Sequence, residues 1–451
     1  MIDLDARLDE LQALGLHRRT SRVSGPQGPR VVLDGEPVLL LCSNNYLALA
    51  DHPAVRAAAA DAAMRWGVGA GASRLVSGTM TIHRRLEERL AEFKGRQTAL
   101  LFGSGYLANT GVVAALARPG DVVFSDELNH ASIIDGCRLS RAETFVYDHR
   151  DLEHLAWGIA RADGRAALIV TESVFSMDGD VAPLQELVEL ARRGGIRLVV
   201  DEAHATGTLG PDGRGALADA GVDDQVDVIV GTLGKALGSY GAFAACDRQM
   251  ARYLVNSART FIFSTAPPPP AVAGALAALE LLRERPRLVQ KLQSNAGVLR
   301  SELRREGFDV DAAGTQIIPL VVGDPSLAVE ICAKALAQGL FAQAIRPPTV
   351  PAMTSRLRLS VMASHREEEL RTAARTLAQA ARAAGFEPRA RSVSAVGSGQ
   401  VASEADEQSP TEQPPLAPEA VPVPGVFDFE DEPAQPGVFD FEDDPSIARA
   451  A

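Results

Sequence analysis

Residues 166–204, AALIVTESVFSMDGDVAPLQELVELARRGGIRLVVDEAH, place a longer segment of helical period between two short runs rich in β-branched residues. AALIVTES and IRLVVDEAH have the length and composition of buried strands, and PLQELVELARRGG has the apolar spacing of an amphipathic helix. This order predicts an α/β fold in which helices cover a large, mostly parallel sheet. Ligands bind such sheets beyond the carboxyl ends of the strands, so we expect functional residues directly after strands.

Two strand ends carry side chains that fit one cofactor. The segment DVIVGTLGKALGSYGAF (227–243) brings Lys235 into a glycine-rich turn, and IRLVVDEAHATGTLG (196–210) ends a strand at Asp201, with His204 three residues later. Alone, Lys235 would be interpreted as a surface lysine, because most lysines are exposed. Paired with a strand-end aspartate, it matches the needs of pyridoxal 5'-phosphate (PLP), whose pyridine nitrogen stays protonated beside a carboxylate.

Three more loops follow predicted strands. LLFGSGYLANTG (100–111) opens a helix from a glycine-rich turn whose N–H groups could hold a phosphate, although such a turn alone is weak evidence. DELNHASIIDG (126–136) places His130 where its ring could stack on a flat cofactor. VTESVFSMDGD (170–180) leads from a strand to Ser176, and its simplest interpretation is a turn.

In this order, these motifs resemble the α-oxoamine synthases, a branch of the fold-type I PLP enzymes. The resemblance runs from about residue 15 to 385 and implies a large sheet domain followed by a smaller α+β domain. The segments that carry it are SNNYLALADHP (43–53), GAGASRLVSGTMTIHRRLEERLAEFKG (69–95), NHAS (129–132), TESVFSMDGD (171–180), DEAHATGTLG (201–210), TLGKALGSYG (232–241) and FSTAPPP (263–269).

The resemblance implies two catalytic residues, Lys235 and His130. Lys235 would bind PLP covalently and move the proton at the α-carbon of the amino acid, and His130 would stack over the ring and stabilise the carbonyl oxygen under attack. Asp201 would pair with the pyridine nitrogen, His204 with the ring hydroxyl, and Ser176 would position the ring. The remaining implied cofactor contacts are Gly105, Tyr106 and Thr232, together with Ser264 and Thr265 from the neighbouring subunit of a homodimer with shared active sites.

Within the family, the string AIRPPTVP (344–351) favours a member that joins L-alanine to a pimeloyl thioester in biotin synthesis. Thr349 would contact substrate, Arg358 would bind the carboxylate of the amino acid as a planar fork, and Arg18 would bind the acyl side. A glycine C-acetyltransferase, or another family member with a different amino acid and donor, is the alternative, because HASIIDGCRLS is closer to that enzyme and Ala48 replaces a usual glycine. Coenzyme A and an acyl carrier protein both stay open as thiol, and a PLP aminotransferase has the same fold.

The sequence predicts four segments. Residues 1–45 form an N-terminal helix and a substrate-side segment, 46–270 the large cofactor-binding domain, 271–390 the small domain, and 391–451 a disordered, acidic, proline-rich tail. The tail repeats PGVFDFEDEP (424–433) as PGVFDFEDDP (436–445). Those repeats suggest a docking motif for an unknown partner or a solubilising tail, and an interaction protein that acts through them is the most distant alternative.

Charge and composition exclude several classes of protein. Residues 391–451 carry 13 acidic residues against two arginines, so eleven of the 13 net negative charges lie there and the rest of the chain is nearly neutral. This distribution argues against a nucleic-acid binder. No apolar run is long enough to span a membrane, and the N-terminus lacks the pattern of a secretory signal, so we expect a cytoplasmic protein. The four cysteines lie far apart and predict neither a metal site nor disulfides.

Overall fold

The segments that carry the motifs form strands and helices in alternation. The computed structural model of the protein describes residues 2–14, 16–311 and 314–388. The strands are β1 (Val23–Ser24), β2 (Arg30–Leu33), β3 (Glu36–Leu40), β4 (Thr98–Phe102), β5 (Val122–Asp126), β6 (Glu143–Tyr147), β7 (Ala166–Glu172), β8 (Arg197–Asp201), β9 (Val228–Thr232), β10 (Ala242–Cys246), β11 (Ile317–Gly323), β12 (Leu340–Phe341), β13 (Gln343–Ile345) and β14 (Ser355–Ser360). The α-helices are α1 (Leu4–Ala13), α2 (Pro53–Trp66), α3 (Thr81–Phe93), α4 (Gly105–Leu116), α5 (Ala131–Ser140), α6 (Leu152–Arg161), α7 (Leu184–Gly194), α8 (Ala216–Asp219), α9 (Arg248–Ser257), α10 (Arg259–Ile262), α11 (Pro269–Glu284), α12 (Arg287–Arg305), α13 (Pro325–Leu336) and α14 (Glu367–Ala383).

The largest sheet has seven strands in the order β4, β10, β9, β8, β7, β5, β6. Neighbouring strands are parallel from β9 across to β6, whereas β10 runs antiparallel to both β9 and β4. Six strands therefore point the same way, and the carboxyl ends of β5, β7, β8 and β9 meet at one edge. The predicted α/β fold with a large, mostly parallel sheet is confirmed, and this edge is where such a sheet places its ligand site.

The predicted order of strand, helix and strand is present as β7, α7 and β8. The four residues Leu184, Leu187, Val188 and Ala191 form the buried face of α7, at the spacing of an amphipathic helix. Strands β8 and β9 read as nearly continuous apolar runs because helices cover both faces of the sheet. The pattern of the sequence was therefore sufficient to locate these elements.

The C-terminal part of the described chain contains a three-stranded sheet in the order β11, β14, β13. Helices α12 and α13 pack against this sheet, and α14 packs against both helices. Two helices, α11 and α12, follow the proline run at 266–270, with Pro286 between them. Proline has no N–H and disfavours the helical conformation of the residue before it, which accounts for the break.

The predicted segment boundaries at residues 45 and 270 stay predictions. The predicted disordered tail, 391–451, and its two repeats lie outside the described residues. Along the described ranges, no helix has both the length and the apolar character needed to cross a membrane.

Candidate active site

The strand ends bring the predicted cofactor residues together at one edge of the large sheet. Asp201 ends β8 and is the register partner of Glu172, which ends β7. Lys235 follows β9 by three residues, in a turn that Gly238 closes with a φ of 57°. A Cβ atom at Gly238 would lie 2.3 Å from the backbone nitrogen of Ala50, so only glycine allows this close approach.

Lys235 and His204 lie in direct contact. The Lys235 Nζ atom is 2.7 Å from His204 Nε2, and His204 Nδ1 is 2.7 Å from Tyr46 Oη. Burial, together with the charges of Lys235 and Arg358, holds the pKa of His204 well below its usual range. Because an ammonium group can only donate, neutral His204 accepts from Lys235 at Nε2 and donates from Nδ1 to Tyr46.

Burial lowers the pKa of Lys235 to about 8, although nearby Asp201 and Glu172 act in the opposite direction. A lysine with this pKa is partly neutral near physiological pH, which suits it to form a covalent bond and then to exchange protons. Burial, and then the charge of the Asp201 carboxylate, raise the pKa of Glu172 well above its usual range. Glu172 is therefore expected to be a neutral acid beside Asp201.

Asp201 has a fixed orientation. Its Oδ2 atom accepts a 2.6 Å hydrogen bond from Asn109 Nδ2, and its Oδ1 atom accepts one of 2.7 Å from the backbone of Ala203. Asn109 also donates to Ser132 Oγ at 2.9 Å, and Ser132 Oγ lies 2.7 Å from His130 Nδ1. A chain of hydrogen bonds thus joins the predicted partner of the pyridine nitrogen to the predicted stacking histidine.

The loop that carries Asp201 and His204 rests on a buried ion pair. Lys94 Nζ is 2.7 Å from Glu202 Oε2, and both side chains are 1% exposed. The other oxygen of Glu202 accepts from the backbone of Leu217 at 2.8 Å. A buried pair with its remaining hydrogen bonds satisfied fixes local geometry, since breaking it would leave an uncompensated charge.

A phosphate could lie at the start of α4. Ser104 caps this helix by accepting from the backbone of Leu107, and a Cβ atom added to Gly105 would meet nothing within 4 Å. Open space beside the first N–H groups of a helix is suited to an anion. Thr232 Oγ1 donates to the carbonyl of Gly241 at 3.2 Å. Tyr106 is exposed and donates its hydroxyl to Asp135 on α5.

The side chain of Arg358 lies in the same region. It is a buried residue of β14 that donates from Nε to the carbonyl of Ser176, from Nη1 to Asn44 Oδ1 and from Nη2 to Tyr46 Oη, the last two at 3.3 Å. A guanidinium group has five N–H donors, so two remain for a substrate. Lys235, His204, Tyr46 and Asp201 are called the Lys235 cluster here. Arg358 is joined to this cluster through Tyr46, and Ser176 is joined to it through Arg358.

The other predicted substrate residues are more remote. Thr349 is exposed in a turn in which its backbone N–H donates to the carbonyl of Arg346 at 3.1 Å. Arg18 is exposed between α1 and β1. Thr265 pairs with Ser73 in an isolated bridge, and Ser264 precedes it in the segment between α10 and α11. Within the described residues, no hydrogen bond joins any of these four side chains to the Lys235 cluster.

Sequence reasoning missed Tyr46, Asn44, Asn109 and Glu172. All four lie in motifs that resemble the family, but their contacts come from segments far away in sequence. The register of β7 against β8 is the signal that could have identified Glu172, because it ends the strand beside Asp201.

The residues fit PLP. The cluster supplies a lysine with a lowered pKa, a buried carboxylate fixed by Asn109, a neutral histidine and an open helix start. Among the described residues, no group of three or more His, Cys, Asp or Glu side chains could hold a metal ion.

Comparison with known proteins agrees with this chemistry. A model of the family "Aminotransferase class I and II" matches residues 36–377. The chain is 52% identical over 381 residues to 8-amino-7-oxononanoate synthase of Citrifermentans bemidjiense. The aligned residues cover 84% of this chain and 98% of that protein.

Solved structures are similar over most of the chain. Serine palmitoyltransferase from S. paucimobilis, solved with a bound PLP and myriocin adduct, has a TM-score of 0.81 and 33% identity, with 85% of this chain and 97% of that chain covered. An 8-amino-7-oxononanoate synthase from Francisella tularensis has a TM-score of 0.67 and 27% identity, with coverage of 77% and 99%.

Proposed function

Because the chain belongs to the aminotransferase class I and II family and, within it, to the PLP-dependent α-oxoamine synthases, we propose that it condenses L-alanine with a pimeloyl thioester. The products would be 8-amino-7-oxononanoate, carbon dioxide and the free thiol, which makes this a step of biotin synthesis. The likeness to relatives of that name, over nearly their full length, supports this choice of substrates.

One observation carries the proposal: the guanidinium of Arg358 and the amine of Lys235 lie on opposite sides of the His204 and Tyr46 pair. An amino acid needs both groups, one for its carboxylate and one to exchange with its nitrogen and to move its α-proton. The two unused donors of Arg358 can bind the carboxylate in two parallel hydrogen bonds, and this binding would orient the α-carbon toward Lys235.

PLP, when bound, accepts the electrons of the bonds that are broken at the α-carbon. Asp201 would hold the proton on the pyridine nitrogen, which is necessary for that chemistry. His204 would hydrogen-bond the ring hydroxyl, and Ser176 would help to position the ring. Gly105, Tyr106 and Thr232 would hold the phosphate or the edge of the cofactor.

His130 and Lys235 would act on the substrates. His130 is exposed at the N-terminus of α5 and held by Ser132, so its ring can cover a flat cofactor and donate to the thioester oxygen under attack. Lys235, with its pKa lowered to about 8, would remove the α-proton and later return one. Thr349 and Arg18 would contact the substrates, Arg18 from the acyl side.

We propose that the enzyme is a homodimer with shared sites. Phe263 is 70% exposed next to Ser264 and Thr265, and Met64, at 88%, and Val76, at 78%, are also exposed apolar side chains. Exposed apolar side chains are typical of a surface that binds another chain when they form one patch, so the proposal requires that these three lie on one dimer interface. Ser264 and Thr265 would then reach the cofactor of the partner. We further propose that the enzyme works in the cytoplasm, with coenzyme A or an acyl carrier protein as the thiol.

A second candidate follows from the higher TM-score to serine palmitoyltransferase than to the F. tularensis synthase. That likeness favours another α-oxoamine synthase, with a different amino acid and acyl donor. Glycine C-acetyltransferase belongs to the same alternative. The 52% identity to the C. bemidjiense protein makes the alanine and pimeloyl pair the better choice.

Thiol release tests the proposal. Purified enzyme with PLP is given pimeloyl, acetyl or palmitoyl thioester in combination with L-alanine, glycine or L-serine. We expect release that depends on L-alanine and pimeloyl thioester, with formation of 8-amino-7-oxononanoate. A higher kcat/KM for glycine with acetyl thioester, or for serine with palmitoyl thioester, would replace these substrates and leave the cofactor chemistry unchanged.

A further inference from the structure

His149 lies two residues beyond β6 and joins two loops at the active-site edge of the sheet. Its Nδ1 atom is 2.9 Å from Asp126 Oδ1, and its Nε2 atom is 2.8 Å from Asp180 Oδ2. Asp126 lies four residues before His130, and Asp180 lies four residues after Ser176. One imidazole ring therefore connects the loop of His130 with the loop of Ser176.

Only the protonated ring can make both contacts, because neutral imidazole has a single N–H donor and carboxylates only accept. Burial would lower the pKa of His149, but the hydrogen bonds and charges of Asp126 and Asp180 outweigh it and raise the pKa to about 9. Two more charged groups face this cluster: Arg150 Nη1 is 3.1 Å from Asp180 Oδ2, and Glu127 Oε1 accepts from the backbone N–H of His149.

The loop of His130 is attached firmly to this ring. The Asp126 side chain is 1% exposed and also accepts from the backbone N–H groups of Leu128 at 2.9 Å and Arg150 at 3.0 Å. A buried carboxylate with these three partners has little freedom to move. The position of the imidazole is therefore transmitted to the chain that leads into His130.

The loop of Ser176 also contacts His149 through an aromatic side chain. The ring of Phe175, next to Ser176, packs edge-on against His149 with 4.3 Å between ring centroids. On its far side this loop is held by Arg358, which donates to the carbonyl of Ser176, and by Thr315, which donates to the carbonyl of Gly179 at 2.8 Å. His149 thus links this loop with the end of β5, which leads into His130.

We propose that His149, as an imidazolium, is a positioning residue for the cofactor site: by donating one N–H to each loop, it sets the separation between His130 and Ser176. This inference rests on the roles proposed above for those two residues. His149 itself does not contact the cofactor. It affects how tightly the two loops can hold the cofactor ring between them.

The test is PLP affinity as a function of pH, measured by the visible absorbance of the bound cofactor in wild type and in His149→Asn. An asparagine is too short to span both carboxylates. We expect its PLP dissociation constant at pH 7.5 to rise about 10-fold, since charge-assisted hydrogen bonds to both loops are lost. The contribution of a histidine with a raised pKa is complete below about pH 6.5 and is lost as the pH rises through about 9. The difference between the two proteins should therefore close by pH 10.

His154→Asn is the matched control, because His154 is also paired with an aspartate, Asp148, at 3.4 Å, but lies on α6. It should retain wild-type affinity at every pH. If His149→Asn binds PLP as wild type does, or if its deficit is unchanged from pH 6.5 to 10, the proposal is wrong. The same deficit in His154→Asn would also overturn it.

Asp180→Asn provides a second variant in case His149→Asn does not fold, as judged by thermal unfolding of the apoprotein. It retains the shape of the side chain but removes one charge, so the pKa of His149 should fall. We expect the alkaline loss of PLP affinity to begin at lower pH, and an unchanged profile would contradict the proposal. Since PLP binding needs no acyl donor, these results are independent of whether the proposed substrates are correct.

Discussion

The cofactor side and the substrate side of the site are built differently. Lys235 donates to His204, His204 donates to Tyr46, and Asp201 accepts from Asn109, all inside a single chain. The substrate-side residues Arg18 and Thr349, in contrast, are exposed. The chemistry is therefore fixed by a rigid sheet edge, whereas substrate choice depends on surface segments, which can vary without disturbing the chemistry.

The largest effect is expected from Lys235→Ala on the cofactor side. Loss of the amine removes both the covalent attachment and the base, so kcat should fall by about 10⁴-fold or more. Thiol release and the absorbance of bound PLP are measured together. Lys291→Ala, an exposed lysine on α12, is the control and should match wild type. Comparable turnover in the two variants would remove Lys235 from the mechanism.

Asp201→Asn should have the next largest effect, about 10²-fold to 10³-fold in kcat, because a neutral amide cannot hold a proton on the pyridine nitrogen. The fitting control is Asp227→Asn. Asp227 precedes β9 and accepts from the backbone of Leu198 on β8 at 2.8 Å, at the end of these two strands that lies away from the site. The measurement is kcat of both variants, from steady-state kinetics at saturating L-alanine. A loss as large in Asp227→Asn would mean that the sheet, and not the pyridine contact, had been disturbed.

Arg358→Lys tests the point where the two sides meet. A lysine loses the planar fork, so the KM for L-alanine should rise about 10-fold to 100-fold while PLP affinity changes little. Arg356→Lys is a close control, because Arg356 lies on the same strand, is equally buried and pairs with Asp178. If Arg356→Lys raises the KM and Arg358→Lys does not, the carboxylate site belongs to Arg356.

The strand ends could be predicted because their signals are local. Apolar runs that end at Asp201 and just before Lys235 are visible in the sequence, and the parallel order of strands brings them to one edge. Tyr46 could not be predicted in the same way, since it contacts His204 across 158 residues of chain. Asn109 likewise meets Asp201 across 92 residues. Contacts between such distant segments depend on packing that a local pattern does not encode.

The burial of Glu172 and the bridge formed by His149 are further examples. A glutamate that ends a strand looks like any polar residue at a turn. Its burial, and then its position beside Asp201, raise its pKa and favour the neutral acid. His149 has no motif that indicates two carboxylate partners. For Arg18 and Thr349 the difficulty is the opposite, because a resemblance predicts their roles while the single chain leaves them exposed.

The smallest effects are expected from Arg18→Ala and Thr349→Ala on the substrate side. An exposed side chain contributes little until substrate or a partner subunit covers it, so each variant should raise the KM for pimeloyl thioester by only about 3-fold to 10-fold, which corresponds to roughly 1 kcal/mol. Neither should change PLP affinity or kcat. The informative comparison is between pimeloyl and acetyl thioester: if Arg18 binds the distal carboxylate of the pimeloyl chain, Arg18→Ala should weaken only the longer donor, because acetyl has no such group. Equal loss with both donors would place Arg18 at the thiol portion instead, and no loss with either would leave the acyl-binding residue among the segments that the sequence did not single out.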